Sequence, residues 1–536
     1  MKKQKCWMLS LAVLLVCSSV LVACGGGSGA DHNGKTLIYG RGADSTMLDP
    51  SLVTDGESFI VTENVFNGLL GFEKDSMEVV PALAESWEES DDGKTWTFQL
   101  REGVKFHDGT DFNADAVVFN FERWAKQELL PTEKDAYIYY GSMFGGYEGD
   151  EGHIIESVTA LDETTVQFKL KEPQGPFLAN LAMSPFGLAS PTAVKGDPKK
   201  FAENPVGTGP FKFESWKKGD TITVVKNEDY WEEGLPKLDK VIFQSIPDNS
   251  ARLTALQSGD IDIMDGLNPD DSETVSANDQ FQLYERPPMN VGYLAFNVEK
   301  EPFKDRKVRQ ALNHAVNKEG LIKSFYGGKA EPATNPMPPS IWGFNQDIEG
   351  YEYDLEKAKE LLEEAGYKDG FEVEFHAMPA PRPYMPDGRK IAEYIQADFE
   401  KIGVKTKIVS PEWTTYLEET NQGKHDMALL GWTGDNGDPD NFLYVLLDKD
   451  NARKPANNIA FYKSDKLHDI LIKAQRETDQ DKRSELYQEA QEIINNDAPW
   501  VPLVYANPTL AAQSNVEGFT PHPKGSDKLK EVDIGQ

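Results

Sequence analysis

The stretch AESWEESDDGKTWTFQLREGVKFHDG, residues 84–109, carries the most informative pattern in this chain of 536 residues. Inside it, Thr95–Leu100 alternates polar and apolar side chains, so that three apolar residues share one face. This period of two predicts a β-strand with one buried face. The segment Thr164–Leu170 repeats the alternation and predicts a second strand of the same kind.

Around this stretch, residues 35–286 have mainly strand-like and irregular patterns. Thr221–Lys226 and Lys240–Ser245 are two further candidate strands. A helix is predicted over Ala114–Lys126, where the side chain of Asn113 can accept a hydrogen bond from a backbone N–H of the first turn. The pattern therefore predicts a β-rich mixed lobe for the first half of the chain.

The pattern changes after Pro287-Pro288. Five apolar residues between Val308 and Val316 recur at helical spacing and predict one face of a helix, and Leu355–Ala365 is another helix, ended by Gly366. The elements that follow are strand 371–376, helix 388–402, strand 404–409, helix 412–421, strand 427–432, helix 486–495 and strand 501–504. This alternation of strands and helices predicts an α/β lobe built around a largely parallel sheet.

Four more short segments follow residues 84–109 in a recognisable order. They are Asn204–Phe211, Gly259–Asp262, Val308–Leu312 and Gly431–Phe442. Together these segments resemble the signatures of the peptide and nickel group, family 5, of the extracellular solute-binding proteins that serve ABC importers. The last segment is similar to the dipeptide-binding branch of that family, and the resemblance extends over essentially the whole chain after the N-terminal signal.

The resemblance implies an α/β fold of two lobes that close over a ligand like a hinged clamp, with the first lobe split into two subdomains. The first lobe would comprise residues 35–288 and, after the chain returns, residues 506–536, while residues 289–505 would form the second lobe. The implied function is to capture dipeptides between the lobes and deliver them to the transmembrane subunits of an ABC permease. Such a protein would be a monomer without a cofactor, and it would not be an enzyme.

The resemblance also implies how a dipeptide is held. In the dipeptide-binding branch an arginine holds the free carboxylate of the ligand and an aspartate holds its free amine, and the matching residues here are Arg382 and Asp435. A buried charge needs a partner, and arginine offers a carboxylate two parallel hydrogen bonds. Because the termini of a dipeptide lie about 7 Å apart, the pair would also select ligand length. The alternative is that both are solvated loop residues.

Further residues match positions of the family that line the ligand cavity. Aromatic walls suit ligands with varied side chains, because they bury area without requiring one hydrogen-bond pattern. The matched residues are Tyr384, Trp413, Trp432, the adjacent Thr433, and Gly56 in a loop of the first lobe. Ordinary core packing is the alternative for the two tryptophans. The match around Gly56 is imperfect, and Asp448–Asn458 lacks the cysteine pair expected in this branch.

The N-terminus has the pattern of a bacterial lipoprotein signal. Basic Met1–Lys5 precedes the mostly apolar Cys6–Val22, and Leu21-Val22-Ala23-Cys24 resembles a lipobox. This predicts a signal peptide over residues 1–23, a lipid anchor on Cys24 and a Gly/Ser-rich tether over residues 24–34. The body would then be held on the outer face of the cytoplasmic membrane, in an extracellular or periplasmic location. The alternative is an N-terminal transmembrane helix in which Cys24 is incidental.

Composition and motifs argue against several other classes of protein. The chain has 55 Lys+Arg against 89 Asp+Glu, and its net charge of −34 repels nucleic acid and anionic lipid headgroups. The eight histidines include no pair three to five residues apart, and Asp435–Leu446 lacks the Gly and Glu of a calcium loop, so no metal site is predicted. No G-x-S-x-G motif is present, and the predicted mature chain has no free thiol for nucleophilic catalysis.

Several alternatives stay open from the sequence. Within the family, the ligand could instead be glutathione, haem, nickel or a longer oligopeptide. Outside it, the chain could be a secreted peptidase or glycosidase, or a sensor in which closure of the lobes signals to a membrane partner.

Overall fold

The computed structural model describes residues 35–129 and 136–535. The predicted signal peptide (1–23), the tether (24–34) and the lipid anchor at Cys24 lie outside the described residues. Within those residues, no helix combines the length and the apolar character needed to cross a bilayer.

The described residues form strands that are numbered here in chain order. The strands are β1 (Thr36–Arg41), β2 (Leu70–Phe72), β3 (Val79–Pro81), β4 (Ala84–Glu89), β5 (Thr95–Leu100), β6 (Ile155–Ala160), β7 (Thr165–Leu170), β8 (Phe211–Lys217), β9 (Thr221–Lys226), β10 (Lys240–Ser245), β11 (Ile263–Leu267), β12 (Phe281–Glu285), β13 (Asn290–Phe296), β14 (Ala330–Pro332), β15 (Phe371–His376), β16 (Val404–Val409), β17 (Met427–Thr433), β18 (Trp500–Ala506), β19 (Thr509–Gln513), β20 (Val516–Glu517) and β21 (Asp533–Ile534).

Helices lie between these strands. The α-helices are Gly56–Thr62, Ala114–Ala125, Ile138–Met143, Phe177–Leu181, Pro191–Gly196, Pro198–Phe201, Asn249–Ser258, Ser272–Ser276, Arg306–Ala315, Lys318–Phe325, Leu355–Glu364, Gly388–Glu400, Trp413–Asn421, Asp440–Leu447, Asp465–Arg476 and Gln480–Asp497. Short 3₁₀ helices are Pro50–Leu52, Ser184–Phe186, Pro269–Asp271 and Lys449–Ala452.

The first lobe contains two large sheets, besides the two-stranded sheets β2-β3 and β20-β21. Its body is a seven-stranded sheet in the order β12-β19-β11-β1-β10-β9-β8, in which β1 pairs in parallel with β10 and β11 and the other pairings are antiparallel. A four-stranded antiparallel sheet, β4-β5-β7-β6, has its own apolar core. This division confirms the predicted split of the first lobe into two subdomains.

Residues 84–109 supply β4 and β5 of the smaller sheet. Along β5, Trp96, Phe98 and Leu100 are buried, because the period of two turns all three toward the core, as predicted. The helix beside this sheet also begins as predicted, since the side chain of Asn113 accepts a hydrogen bond from the backbone N–H of Ala116.

The second lobe is built on a six-stranded mixed sheet in the order β14-β18-β13-β17-β15-β16. β15 pairs in parallel with β16 and β17, whereas β13 is antiparallel to β17 and β18, and β14 is antiparallel to β18. The prediction of a largely parallel sheet is therefore wrong. It described the strands that alternate with helices, but it did not include β13 or the antiparallel pairing of β13 with β17 and β18 in the middle of the sheet.

Helices pack on this second sheet through the faces that the sequence predicted. In the helix Arg306–Ala315, Val308, Ala311, Leu312 and Ala315 are all buried. The helix predicted at 486–495 is longer, Gln480–Asp497, because Asp479 caps a polar first turn that carries no apolar signal.

Two short segments join the sheets of the two lobes. The first runs from the end of β12 at Glu285 to the start of β13 at Asn290, and the second runs from the end of β18 at Ala506 to the start of β19 at Thr509. The segments are hydrogen-bonded to each other, since the backbone N–H of Arg286 donates to the carbonyl of Pro508 at 2.8 Å. We propose on this basis that residues 35–288 and 506–536 form the first lobe and residues 289–505 the second.

Candidate functional site

The loops that follow β15 and β17 carry the residues predicted to hold the ligand. These strands are parallel neighbours, so their carboxyl ends lie at the same edge of the second-lobe sheet. At that edge Thr433, the last residue of β17, pairs with Asn290, the first residue of β13 after the crossing from the first lobe. Arg382 follows β15 and Asp435 follows β17. The fold therefore brings both loops to the edge of the second lobe that meets the first.

Asp435 is a largely buried carboxylate held by hydrogen bonds alone. Its backbone N–H donates to Asn441 Oδ1 at 3.0 Å, and Asn441 Nδ2 donates to Asp435 Oδ2 at 3.3 Å. The hydroxyl of Tyr139 donates to Asp435 Oδ1 at 3.1 Å. Burial raises the pKa of Asp435 to about 6, and among the described residues no Lys or Arg forms an ion pair with it. A cationic ligand group would supply the partner that this carboxylate lacks.

Tyr139 was not predicted, although it joins the two lobes at this site. It lies in the helix Ile138–Met143 of the first lobe, and its ring packs edge-on against Phe59 with the centroids 6.0 Å apart. Phe59 belongs to the helix that begins at Gly56. Burial and the neighbouring Asp435 raise the pKa of the Tyr139 hydroxyl well above its usual value, so the hydroxyl stays a donor at neutral pH. The three tyrosines within residues 137–140 were the only local signal in the sequence.

Arg382 presents an exposed guanidinium beside an aromatic wall. Backbone hydrogen bonds between Arg382 and Met385 close a tight turn, and Arg382 Nη1 donates to the carbonyl of Pro381 at 2.9 Å. Its guanidinium carbon lies 5.4 Å from the ring centroid of Trp413, within cation–π range. Trp413 in turn stacks on Tyr416. Among the described residues no carboxylate pairs with Arg382, so its fork is open to an anionic group.

Tyr384 is packed into the sheet of the second lobe over two glycines. A Cβ at Gly431 would come within 2.2 Å of the Tyr384 ring, and one at Gly292 within 2.5 Å of its carbonyl oxygen. Tyr326 donates from its hydroxyl to the same carbonyl at 2.8 Å. Burial raises the pKa of Tyr384 to about 12, an effect that nearby Arg382 opposes. Tyr384 and Arg382 therefore belong to one local cluster, positioned by glycines in β13 and β17.

The remaining predicted residues have different surroundings. The indole N–H of half-buried Trp432 donates to Asn441 Oδ1 at 2.9 Å, so Trp432 and Asp435 are anchored to the same amide. Thr433 is also half-buried, at the end of β17. Gly56 is exposed at the start of its helix, and a Cβ built there meets no atom within 4 Å. No contact among the described residues links Gly56 directly to Arg382 or Asp435.

The two lobes touch each other around this site. The side chain of Asn436, next to Asp435, donates to Asn180 Oδ1 of the first lobe at 2.7 Å, and both residues are buried. Farther out, Arg476 forms an ion pair with Glu172 at 2.6 Å. The structure is therefore a closed arrangement in which the loop after β17 contacts the first lobe.

Carboxylates near this loop have structural partners. Both oxygens of buried Asp438 accept from Arg483 at 2.8 Å, so Asp438 is already paired by a cation from the protein. A group that could hold a metal ion, Asp448, Asp450 and His468, lies at a helix end beyond this loop. There His468 Nδ1 is 3.0 Å from Asp448 Oδ2, which is an ordinary ion pair when the histidine is protonated.

This chain is similar to known proteins over most of its length. The family described as "Bacterial extracellular solute-binding proteins, family 5 Middle" matches residues 78–454. The dipeptide-binding protein of Escherichia coli is 38% identical, over 99% of this chain and 99% of that protein. Haem-binding protein A of Haemophilus influenzae is 37% identical, over 97% and 98%. The structure of the periplasmic binding protein DppA from Helicobacter pylori in complex with the peptide STSA is 40% identical, with a TM-score of 0.82 over 94% of this chain and 98% of that one.

Proposed function

Because this chain belongs to family 5 of the bacterial extracellular solute-binding proteins of ABC importers, we propose that its own ligand is a short peptide, above all a dipeptide. The observation that carries the proposal is the charge arrangement at the edge of the second lobe. Asp435 is a largely buried carboxylate without a cationic partner, and Arg382 is an exposed guanidinium without an anionic one, among the described residues. A zwitterion supplies both missing partners.

Charge pairing inside a closing cleft gives the proposed mechanism. The ammonium of the ligand would bind Asp435 and its carboxylate would bind Arg382 with two parallel hydrogen bonds. The closed form would then be stabilised by the ligand, and it is the form that the permease would receive. Trp413, Tyr384 and Trp432 would contact the ligand side chains through apolar surface, which tolerates varied side chains. Thr433 and Gly56 stay proposed ligand contacts at the margins of the site.

The test removes each ligand charge and each protein charge in turn. Calorimetry would compare a dipeptide with its N-acetylated and its C-amidated forms on the wild type, on Asp435→Ala and on Arg382→Ala. Each single change should weaken binding at least about tenfold, or ~1.4 kcal/mol, while the melting temperature of the free protein stays nearly constant. The matched control is Arg389→Ala, an exposed arginine on the following helix, which should bind normally.

Combining each protein variant with each modified ligand decides which residue binds which end of the peptide. Asp435→Ala should be indifferent to N-acetylation but sensitive to C-amidation, and Arg382→Ala should show the opposite pattern. Undiminished affinity in either variant would contradict the site. Longer peptides belong in the same series, because the Helicobacter pylori relative was solved with the peptide STSA. A strict dipeptide binder should reject a tripeptide, whose carboxylate would overshoot Arg382.

Other ligands of the same transport role are tested by identifying what the protein carries. The Haemophilus influenzae relative is described as haem-binding, so haem is the second candidate, followed by glutathione, nickel and oligopeptides. Mass spectrometry of the small molecule that co-purifies with the protein would distinguish these. Recovery of intact dipeptide after overnight incubation would exclude a peptidase, consistent with relatives that are solute-binding proteins.

We also propose that the protein is a monomeric lipoprotein on the outer face of the cytoplasmic membrane. The support is the lipobox-like segment that ends at Cys24 and the tether that follows it. Cys24→Ser should leave the protein without lipid, as judged by the mass of the purified N-terminal peptide. A wild-type N-terminal peptide that begins at Met1 and carries no lipid would favour an uncleaved transmembrane segment.

A further inference from the structure

A second pocket lies within the first lobe, apart from the peptide site. It has a volume of about 170 Å³ and is lined by residues that follow the helix Gly56–Thr62, by the β2–β3 hairpin, by residues 182–187 and 230–232, and by the C-terminal segment 528–531. A single buried water needs only about 10–15 Å³, so the pocket has room for a small solute together with water. None of the residues predicted to contact the peptide lines it.

In the inner part of this pocket, the positively charged side chains outnumber the negatively charged ones. Glu63 pairs with Lys524 at 2.8 Å, and Glu232 pairs with Lys530 at 2.6 Å. Lys528, which lies between these pairs, has no carboxylate within 4.0 Å among the described residues and donates to the carbonyl of Phe72 instead. Lys524 does not line the pocket itself, but through its pair with Glu63 it belongs to an inner group of three ammonium groups and two carboxylates.

Other charges near the pocket do not supply the missing anion. Lys74 and Glu531 pair with each other at 3.3 Å on the outside, and Glu73 is exposed at the rim, where water and salt screen it. His522, which packs near Phe72, has its pKa lowered to about 3 by burial and by the neighbouring lysines, so it is neutral. The excess positive charge thus resides on Lys528.

An ammonium without a carboxylate partner, next to a partly enclosed polar space, favours a negative ligand, because burying a charge without a counterion is costly. Burial lowers the pKa of Lys528 to about 8, so the group is still mostly protonated at neutral pH. We propose that this pocket binds a small monoanion, a halide or a short carboxylate, through the ammonium group of Lys528. The single ammonium without a carboxylate partner favours a monoanion over a zwitterionic peptide as the occupant.

The experiment locates the anion directly. Crystals of the intact protein grown or soaked in sodium bromide should show an anomalous peak in contact with Lys528 Nζ, and added acetate should remove that peak if short carboxylates bind as well. If the peak resists acetate, the site is specific for halides. Absence of any peak in the pocket while peaks appear elsewhere on the surface would overturn the proposal, since the pocket would then hold only water.

Variants test whether the charge imbalance is the cause. Lys528→Met removes the excess charge, and Lys524→Met frees Glu63 to pair with Lys528, so each should weaken bromide binding at least about tenfold. Glu63→Gln enlarges the excess positive charge and should strengthen bromide binding. Lys199→Met, an exposed lysine elsewhere on the first lobe, is the matched control and should change nothing. A bromide peak that persists unchanged in Lys528→Met would contradict the proposal, and the wild-type result decides if a variant fails to fold.

Discussion

Acidification should weaken peptide binding in a way that reports on Asp435. The carboxylate form of this residue is the partner proposed for the ligand ammonium, and burial raises its pKa to about 6. As the pH falls through that value, Asp435 becomes protonated and loses the charge that attracts the ligand. The direction is therefore fixed: affinity is highest near neutral pH and declines on the acid side.

The magnitude follows from the pKa. With a value near 6, about nine-tenths of Asp435 is ionised at about pH 7 and roughly one-tenth at about pH 5, so affinity should fall about tenfold between them. The ligand itself titrates little there, because an α-carboxyl has a pKa of about 3.5 and an α-amine one of about 7.8. The raised pKa also means that protonation favours the folded state, so acid unfolding at this residue cannot produce the effect.

Calorimetry across this range, with melting temperatures of the free protein measured in parallel, provides the assay. Asp435→Asn should bind more weakly and show a flat profile between about pH 5 and about pH 7. Tyr139→Phe removes a hydrogen bond that lowers the pKa of Asp435, so its profile should shift to higher pH. A wild-type affinity that stays constant over this range would refute the assignment of Asp435 as the amine partner.

Three further predictions concern stability and packing. Arg286→Met should lower the free energy of unfolding by about 3–5 kcal/mol in urea denaturation, because buried Asp527 then loses its bidentate partner at 2.7 and 3.0 Å. A decrease below about 1 kcal/mol would show that the pair contributes little to stability. Gly431→Ala should lower peptide affinity several-fold and the free energy of unfolding by roughly 1–3 kcal/mol, since its Cβ would overlap the Tyr384 ring. Unchanged binding would show that the Tyr384 ring does not contact the peptide. Gly56→Ala should leave stability within about 0.5 kcal/mol, because its Cβ enters open space, so any loss of affinity would mark close approach of the ligand to this backbone.

The elements of the fold could be predicted where one face of each is buried. The apolar residues that alternate in β5, and those at helical spacing from Val308 onward, are the buried ones. The positions of these two elements and their type, strand or helix, could therefore be predicted from the sequence. Strand pairing could not be predicted in the same way. Whether β13 runs parallel or antiparallel to β17 depends on how the chain enters the second lobe, and a period of two carries no information about direction.

The site was only partly accessible from the sequence. Arg382 and Asp435 lie in segments with several recognisable neighbours, so a resemblance could point to them. Tyr139 has no such segment, and it meets Asp435 across 296 residues of chain through a contact that exists only when the lobes are together. The pocket at Lys528 was equally hidden, since its charges come from distant segments and each is an ordinary surface residue in the sequence.

On the proposed site assignment, the loop after β17 would couple ligand contact to closure, because adjacent residues would do both. Asp435 is the proposed ligand contact. The next residue, Asn436, donates a hydrogen bond to the first lobe, and Gly437, at a positive φ of 69°, has no room for a Cβ against Met77 of the first lobe. Asp438 then ties the loop to the second lobe through Arg483. In a loop held by these contacts, a shift at Asp435 would also displace the contact with the first lobe. Neutralising Asp435 with a ligand ammonium should therefore act on the equilibrium between open and closed forms, not only on local affinity.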